Sequence, residues 1–272
     1  MSNLSISQAW DEAVHVLTHD GKLVTSVALG LIVLPQTVSG AVGPPPALSG
    51  VNPPDWMPIV ALIVAVLGIA GQIAIARLAL GPSTSVGEAI AHGFRRVVPA
   101  LLAFFLCAVV LAVVLAPVVM LMAGADGLKS LATNQPTPKA GGAIIVAIIM
   151  CMLAIPRFQM LVPTAAGEEG GPIRLLQRSW QMSAGHYFKL LGFLVLILVA
   201  AGVVLLAGQI IVVILAKALF GTIHPFTLGA LLAGLLMAIA SAAFAAVSTV
   251  ILARIYVQLS GRGAASVPKS GT

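Results

Sequence analysis

The stretch FKLLGFLVLILVAAGVVLLAGQIIVVILAKALF, residues 188–220, decides the fold class of this chain. It carries no charged side chain between Lys189 and Lys217. An α-helix rises about 1.5 Å per residue and the hydrocarbon core of a bilayer is about 30 Å thick, so about 20 apolar residues can cross it. The stretch is also much longer than the roughly 9–11 residues of a transmembrane barrel strand. It therefore predicts a transmembrane α-helix.

Five further apolar runs of the same character occur in the sequence. The six predicted spans are residues 22–39, 57–80, 97–122, 141–162, 188–220 and 227–257. Of the 272 residues, 60% are hydrophobic and 8% are charged, whereas a soluble domain is about half apolar and about a quarter charged. These proportions exclude a soluble globular fold. We therefore predict an all-α integral membrane protein, with six transmembrane helices in a single domain over residues 1–272.

A short amphipathic segment precedes each odd-numbered span. These predicted surface helices are residues 7–19, 84–96 and 172–183. Each separates apolar from polar side chains at helical spacing, which is typical of a helix that lies along the membrane surface. We therefore predict three hairpins, each preceded by a surface helix, as an internal threefold repeat. Residues 258–272 are predicted to form a flexible tail.

The basic residues indicate the orientation of these helices. With six spans, only three of the fourteen Lys and Arg residues lie on the side away from the termini, namely Lys129, Lys139 and Lys217. Cytoplasmic loops of membrane proteins are enriched in Lys and Arg. We therefore expect a multi-pass plasma-membrane protein with both termini in the cytoplasm. The same distribution accounts for the net charge of +6 without nucleic acid as a partner.

The densest polar segment is the fourth loop, which begins with Glu168 and Glu169 and continues through the third surface helix. Two adjacent carboxylates suggest acid–base catalysis, but consecutive side chains cannot both converge on one substrate atom. Just ahead of Pro172 they stabilise the positive N-terminus of the surface helix and can pair with Arg174 or Arg178. We therefore predict a structural role for both carboxylates.

Basic side chains close to tryptophan and tyrosine are expected at the depth of the lipid headgroups, because these aromatic residues favour the membrane interface. The candidate residues for contact with lipid phosphates are Arg174, Arg178, Trp180, Lys189, Arg95 and Arg96. Membrane lipids are accordingly the expected partners.

Polar residues inside the predicted spans are few, and none near a membrane centre is ionisable. Ion-coupled transporters usually place an ionisable group there. Gln72 and Gln209 are the candidate intramembrane polar contacts, either as hydrogen bonds between helices or as the lining of a pathway. The sequence has no Gly-rich phosphate loop, no nucleophile elbow and no zinc-binding histidine motif. We therefore expect no enzyme, no catalytic or metal-binding residue and no cofactor.

Small residues recur at every fourth position of the sixth span. They are Ala230, Gly234, Ala238, Ala242 and Ala246. Such a ladder lets another helix backbone approach closely. It predicts a packing face, which serves either another helix of the same bundle or a second copy of the chain. A homo-oligomer or another protein partner is therefore an open alternative.

The sequence EGGPIRLLQRSWQMSAGHYFK, residues 169–189, resembles the fourth loop of the membrane domain found in some bacterial glycerophosphoryl diester phosphodiesterases. The shared pattern is an acidic residue, Gly-Pro, Arg-Ser-Trp and a later Gly. The resemblance implies a six-helix domain of the bacterial inner membrane, with a surface helix ahead of each hairpin. In the full architecture a separate barrel domain hydrolyses glycerophosphodiesters with metal-binding carboxylates. This chain has no counterpart of that domain, so the resemblance implies a stand-alone membrane module.

Two functions follow as expectations. The first is a non-enzymatic plasma-membrane protein related to that membrane domain, which acts as an anchor, a scaffold or a lipid-interacting module. The alternative is a transporter or permease subunit, which the repeated hairpins and the polar residues Gln72 and Gln209 favour.

Overall fold

The structure, a computed structural model, describes residues 5–43, 49, 54–81, 85–132, 137–221 and 224–260. This part of the chain is helical apart from short connections, and six of its helices are long and apolar enough to cross a membrane. The prediction of an all-α chain with six apolar spans is confirmed. The six apolar helices indicate a multi-pass membrane protein. Residues 261–272 of the predicted tail lie outside the described part of the chain.

The helices are numbered here in chain order. They are α1 (Ile6–His19), α2 (Gly21–Val42), α3 (Met57–Leu80), α4 (Val86–Ala132), α5 (Pro138–Phe158), α6 (Leu161–Gly167), α7 (Pro172–Ala184), α8 (Tyr187–Phe220) and α9 (Leu228–Ser260). The membrane spans are α2, α3, α4, α5 together with α6, α8 and α9. α2 contains one π-helical turn, Leu29–Val33.

The first span is preceded by α1, which packs along α9. The Ser5 side chain caps α1 by accepting a hydrogen bond from the backbone N–H of Gln8, at 3.3 Å. Ala9, Ala13 and Val16 form the buried face of the helix. α1 is therefore attached to the bundle through small and β-branched side chains at helical spacing.

The structure differs from the sequence prediction ahead of the third span. The segment 84–96 is predicted to be a separate surface helix, but α4 begins at Val86 and continues through this segment into the span without a break. Gly93 and Pro99 lie on either side of the predicted junction, and both are inside the continuous helix. The first departure from helical backbone is Gly124, with a φ of 67°.

The fourth span also differs in detail from its prediction over 141–162. α5 ends at Phe158, the chain turns at Gln159 and Met160, and α6 continues to Gly167. Met160 and Leu161 are fully buried at this turn. The break therefore places α6 inside the bundle, where its C-terminus contacts α3 and α4.

The small residues of the sixth span pack inside the bundle. Ala230, Ala238, Ala242 and Ala246 are buried, and α9 contacts α2 along its length. At the crossing, a Cβ built on Gly40 would lie 3.0 Å from the Gly234 Cα. This approach requires glycine, and it assigns the ladder to a helix of the same chain.

The two ends of the bundle differ in charge and packing. The basic end is the end at which α3, α5 and α9 reach Arg77, Arg157 and Arg254, and the opposite end holds the connections α2–α3, α4–α5 and α8–α9. The largest fully buried side chains include Ile73, Ile75, Leu161, Leu190 and Tyr256, which lie towards the basic end. Elsewhere α4 and α8 expose large apolar side chains, which hydrocarbon accepts as readily as a protein core does.

Candidate functional site

The segment between α6 and α7 carries the two adjacent carboxylates. Glu168 Oε1 accepts a hydrogen bond from Arg178 Nε at 3.0 Å and another from the Tyr256 hydroxyl at 2.9 Å. Tyr256 is fully buried, and a Cβ built on Gly167 would lie 3.0 Å from its ring. Glu168 therefore joins the middle of α7 to the last turns of α9.

Glu169 turns away from its neighbour. Its side chain is 95% exposed and lies 3.8 Å from Arg96 Nη2, while Arg96 Nη1 donates to the Gly170 carbonyl at 3.2 Å. The two carboxylates thus contact different helices and have no binding partner in common among the described residues. The predicted pairing of this acidic pair with Arg174 or Arg178 is confirmed for Glu168 and Arg178.

The C-terminus of α6 is held by two further side chains. Arg77 Nη1 donates to the Ala166 carbonyl at 3.2 Å, and His92 Nε2 lies 3.4 Å from the Ala165 carbonyl. Carbonyls in the last turn of a helix lack partners within the helix, and basic groups stabilise its negative end. These contacts fix α6 between α3 and α4 and give Arg77 and His92 a structural role.

On its other side, α7 carries an aromatic and cationic cluster. The Arg157 guanidinium carbon lies 4.7 Å from the Trp180 ring centroid and 5.1 Å from that of Tyr187. The Ser179 hydroxyl donates to the Arg157 carbonyl at 2.7 Å, and the Tyr187 hydroxyl donates to the Leu153 carbonyl at 2.7 Å. Trp180 is held in place by these groups while its side chain is 51% exposed.

Two cavities adjoin α7 and share residues. The first, about 550 Å³, is lined by Leu106, Cys107, Val110, Phe158, Leu176, Gln177, Trp180 and Gln181. The second, about 340 Å³, is lined by Glu168, Arg174, Gln177, Arg178 and Gln181. The first is largely apolar and the second is polar and charged. Because Gln177 and Gln181 line both, the two cavities are neighbours along α7, and together they are called the α7 groove.

The chain matches, over residues 4–259, the profile of a protein family described as a domain of unknown function, DUF7847. This chain belongs to the DUF7847 family. No curated protein matches the sequence, and no solved structure matches it. The family assignment covers α1 to α9 and therefore includes the whole α7 groove.

The structure brings three of the six predicted lipid-contact residues into the α7 groove. Arg174 and Arg178 line its polar part, and Trp180 lines its apolar part. Arg96 instead pairs with the segment between α6 and α7. Arg95 and Lys189 are exposed at the basic end and do not line the groove. Contact of these residues with lipid phosphates stays a prediction.

The two intramembrane glutamines are separated by the fold. Gln209 lines a cavity between α2, α8 and α9, whereas Gln72 of α3 does not. Within the described ranges, no three His, Cys, Asp or Glu side chains lie close enough together to hold a metal ion. Cys107 and Cys151 are free thiols.

Sequence reasoning missed several residues of this site. The sequence shows Arg157 as a basic residue at the end of a span. Its stacking on Trp180 depends on the position of α7 relative to α5 and could not be read from the sequence. Gln177 and Gln181 are four residues apart on one helix and so share a face, which a helical projection could have shown. Tyr256 has no local signal, because its partner Glu168 is 88 residues away in the sequence.

Proposed function

We propose that this chain is a non-catalytic lipid-interacting module of the bacterial inner membrane, and that it holds an anionic phospholipid in the α7 groove. The observation that supports the proposal is that an apolar and a cationic cavity lie side by side on α7 and share the lining residues Gln177 and Gln181. A phospholipid has the same two parts, an acyl chain and a charged headgroup, joined at the membrane interface.

The cationic part suits a phosphate. Arg174 and Arg178 contribute two positive charges against one carboxylate, that of Glu168. Arg178 is committed to Glu168 through its Nε atom at 3.0 Å, whereas the Arg174 side chain is exposed. Arginine presents several N–H donors to phosphate oxygens. In this proposal Arg174 binds the phosphate, and Arg178 fixes the shape of the site.

The apolar part suits an acyl chain. Leu106 and Val110 of α4, Phe158 of α5 and Leu176 of α7 line it, and α4 is a membrane span. Trp180 lines the apolar part, and its ring favours the interface between water and hydrocarbon. The α7 helix would then rest at headgroup depth, with the basic end and both termini in the cytoplasm.

Arg95 and Lys189 add charge around the groove in this proposal. Both are exposed at the basic end. A basic side chain close to an anionic membrane surface contributes about 1 kcal/mol of attraction. The proposed module would thus concentrate anionic lipid around α7, and the resemblance to the membrane domain of glycerophosphoryl diester phosphodiesterases fits a role that involves glycerophospholipids.

Brominated lipids test the proposal directly. A protein with Trp10→Phe and Trp56→Phe retains Trp180 as its only tryptophan. In nanodiscs, brominated phosphatidylglycerol should quench Trp180 fluorescence more than brominated phosphatidylcholine at equal mole fraction. Arg174→Gln should lower the relative affinity for phosphatidylglycerol about fivefold, which corresponds to about 1 kcal/mol.

Lys217→Gln is the matched control, because Lys217 is exposed at the opposite end of α8. It should leave the quenching unchanged. Equal quenching by both lipids, or equal effects of Arg174→Gln and Lys217→Gln, would refute the proposed headgroup site.

A transporter or permease subunit is the second candidate, and the observation that favours it is the cavity beside Gln209. If this cavity were part of a transport pathway, water would reach it from at least one side of the membrane. In a protein with Cys107→Ser and Cys151→Ser, the substitution Gln209→Cys introduces one cysteine, which should then react with a membrane-impermeant thiol reagent. Protection from the reagent on both sides of the membrane would count against transport through this cavity.

A further inference from the structure

The cavity beside Gln209 lies inside the membrane-spanning part of the bundle, away from the α7 groove. It measures about 480 Å³ and is bounded by α2, α8 and α9. Pockets of roughly 300–1,000 Å³ are typical of small-molecule sites. It is called the α2–α8–α9 cavity below.

The walls of this cavity combine small or apolar residues with uncharged polar groups. Its polar side chains are Gln36, Ser39, Gln209 and Ser241. The Ser241 hydroxyl donates to Gln36 Oε1 at 2.5 Å across α2 and α9. Gln209 projects from the third wall, α8, and has no hydrogen-bond partner within the described residues.

These polar groups lie at hydrocarbon depth. At 1.5 Å per residue, Ser241 is roughly 20 Å along α9 from Arg254, and Gln36 is roughly 20 Å along α2 from Lys22. Gln209 is roughly 12 Å along α8 from Lys217, at the opposite end. An amide in hydrocarbon without a hydrogen-bond partner is unfavourable, because no bulk water replaces the missing bond. A ligand that supplies a donor or an acceptor there removes this penalty.

The absence of charge decides the class of ligand. No described residue that lines the cavity is acidic or basic. A charged headgroup at this depth would lose its hydration without a counter-ion, whereas a hydroxyl or carbonyl group needs only a hydrogen bond. The remaining wall, which includes Leu205, Val212 and Met237, suits an aliphatic tail.

We infer that the α2–α8–α9 cavity binds an uncharged amphipathic lipid, with a long apolar tail and a single hydroxyl or carbonyl group that bonds to Gln209 and the Gln36–Ser241 pair. The ligand enters from the bilayer. α2 and α8 pack on α9 from two sides and share little contact with each other in the described ranges. At the opposite end, the Phe226 backbone N–H donates to the Ala41 carbonyl at 2.9 Å and ties the α8–α9 connection to α2.

Photolabelling with two matched probes tests this inference. The probes are a diazirine-bearing long-chain alcohol and the carboxylic acid of the same chain length, each added to the full-length protein in nanodiscs at a pH where the acid is ionised. The alcohol should label residues 205–213 and 230–241, as mapped by peptide mass spectrometry. The acid should label these segments weakly, because its carboxylate stays at the interface.

Two variants link the labelling to the cavity. Gln209→Leu should lower labelling by the alcohol about threefold, the factor that corresponds to an intramembrane hydrogen bond of about 0.6 kcal/mol. Gln72→Leu is its matched control, since Gln72 is a half-buried glutamine of another span that does not line the cavity. Ala240→Phe fills the cavity from α9 and should also reduce labelling.

Several outcomes would overturn the inference. They are equal labelling by alcohol and acid, equal effects of Gln209→Leu and Gln72→Leu, and unchanged labelling in Ala240→Phe. A disulfide formed between two chains with cysteine at position 209 would also overturn it, because a second copy would then occupy the cavity. The phosphatidylglycerol preference of Trp180 reports on the α7 groove and is independent of these results.

Discussion

The basic end and the α2–α8–α9 cavity are built from the same kinds of small and apolar residue but differ in how closely their helices pack. At the basic end, Glu168 accepts hydrogen bonds from the side chains of Arg178 and Tyr256, and Tyr256 belongs to the buried core. In the cavity, one hydrogen bond joins Gln36 to Ser241 and Gln209 faces open space. The first region is therefore a packed clamp, although Gln159 Oε1, Arg254 Nε and Gln258 Nε2 are buried there without a hydrogen-bond partner among the described residues. The second region leaves open space beside Gln209.

This difference between the basic end and the cavity shows which contacts stabilise a helix bundle in a membrane. Lipid tails are as apolar as leucine side chains, so helix association depends on close packing and hydrogen bonds rather than on hydrophobic burial. Close packing occurs where small residues meet, as along the buried face of α3 from Ala70 to Ala79. Where the helices diverge, as α2 and α8 do on α9, the same chemistry leaves a cavity.

Tyr256→Ala should have the largest effect, because it removes a fully buried ring and one hydrogen bond of Glu168. We expect a loss of about 3 kcal/mol or more in the free energy of unfolding. Unfolding in mixed micelles titrated with dodecyl sulfate measures it. Tyr256→Phe keeps the ring and should cost about 1 kcal/mol. Equal losses for the two variants would show that ring packing does not stabilise the basic end.

Gly93→Ala tests the packing of α4 on α3. A Cβ at this position would lie 2.5 Å from the Ala70 carbonyl oxygen, so the two backbones must separate. We expect a loss of about 1–3 kcal/mol in the same unfolding assay. Gly87→Ala is the control on the same helix, since a Cβ there meets no atom within 4 Å. It should be neutral or stabilising by up to about 1 kcal/mol, and a larger loss in Gly87→Ala than in Gly93→Ala would contradict this account.

Gly234→Ala probes the crossing of α2 and α9 beside the cavity. The added Cβ would lie 3.0 Å from the Thr37 carbonyl oxygen. We expect a loss of about 1 kcal/mol, measured by thermal unfolding in detergent. Gly208 lines the cavity from α8, and the atom nearest to a Cβ built there is the Ala240 Cβ at 4.0 Å. Gly208→Ala is therefore the control. It should be tolerated, and a loss as large as that of Gly234→Ala would show that the cavity is less open than its walls indicate.

Ser241→Ala should have the smallest effect. It removes the hydrogen bond to Gln36, and intramembrane hydrogen bonds contribute about 0.6 kcal/mol on average. Ser248→Ala is the matched control on α9, because the Ser248 hydroxyl donates only to carbonyls of its own helix, those of Phe244 and Ala245. A double-mutant cycle with Gln36→Leu measures the coupling. A coupling of zero would remove the pair from the proposed ligand site.

Much of the fold follows from local pattern. The number of spans follows from the length of each apolar run, and the predicted ends of the second span, 57–80, coincide with those of α3. Two boundaries were less predictable. The junction between the second amphipathic segment and the third span has Gly93 and Pro99 beside it, yet α4 continues through both without a break. The turn at Gln159 and Met160 was not predicted, although Pro163 has no N–H to donate to the Gln159 carbonyl four residues earlier, and Met160 and Leu161 are buried at the break.

The candidate sites were predictable only in part. The residue types at α7 identified Arg174, Arg178 and Trp180, because charge and aromatic character are local properties of the sequence. The sequence could not predict the stacking of Arg157 on Trp180 or the burial of Tyr256 against Glu168, because each contact joins residues far apart in the chain. Gln72 and Gln209 are alike in sequence context, yet of these two only Gln209 lines the α2–α8–α9 cavity.

By itself, the sequence determined that this chain is a helical membrane protein with six apolar spans. An apolar run of sufficient length has one favourable arrangement in a bilayer, since every backbone group must be hydrogen-bonded within the helix. Only the tertiary structure decided which polar groups meet, that Glu168 and Glu169 diverge, and that α2, α8 and α9 leave a cavity. These features depend on the relative positions of helices, which close contacts such as that of Gly40 with Gly234 fix across nearly 200 residues of sequence.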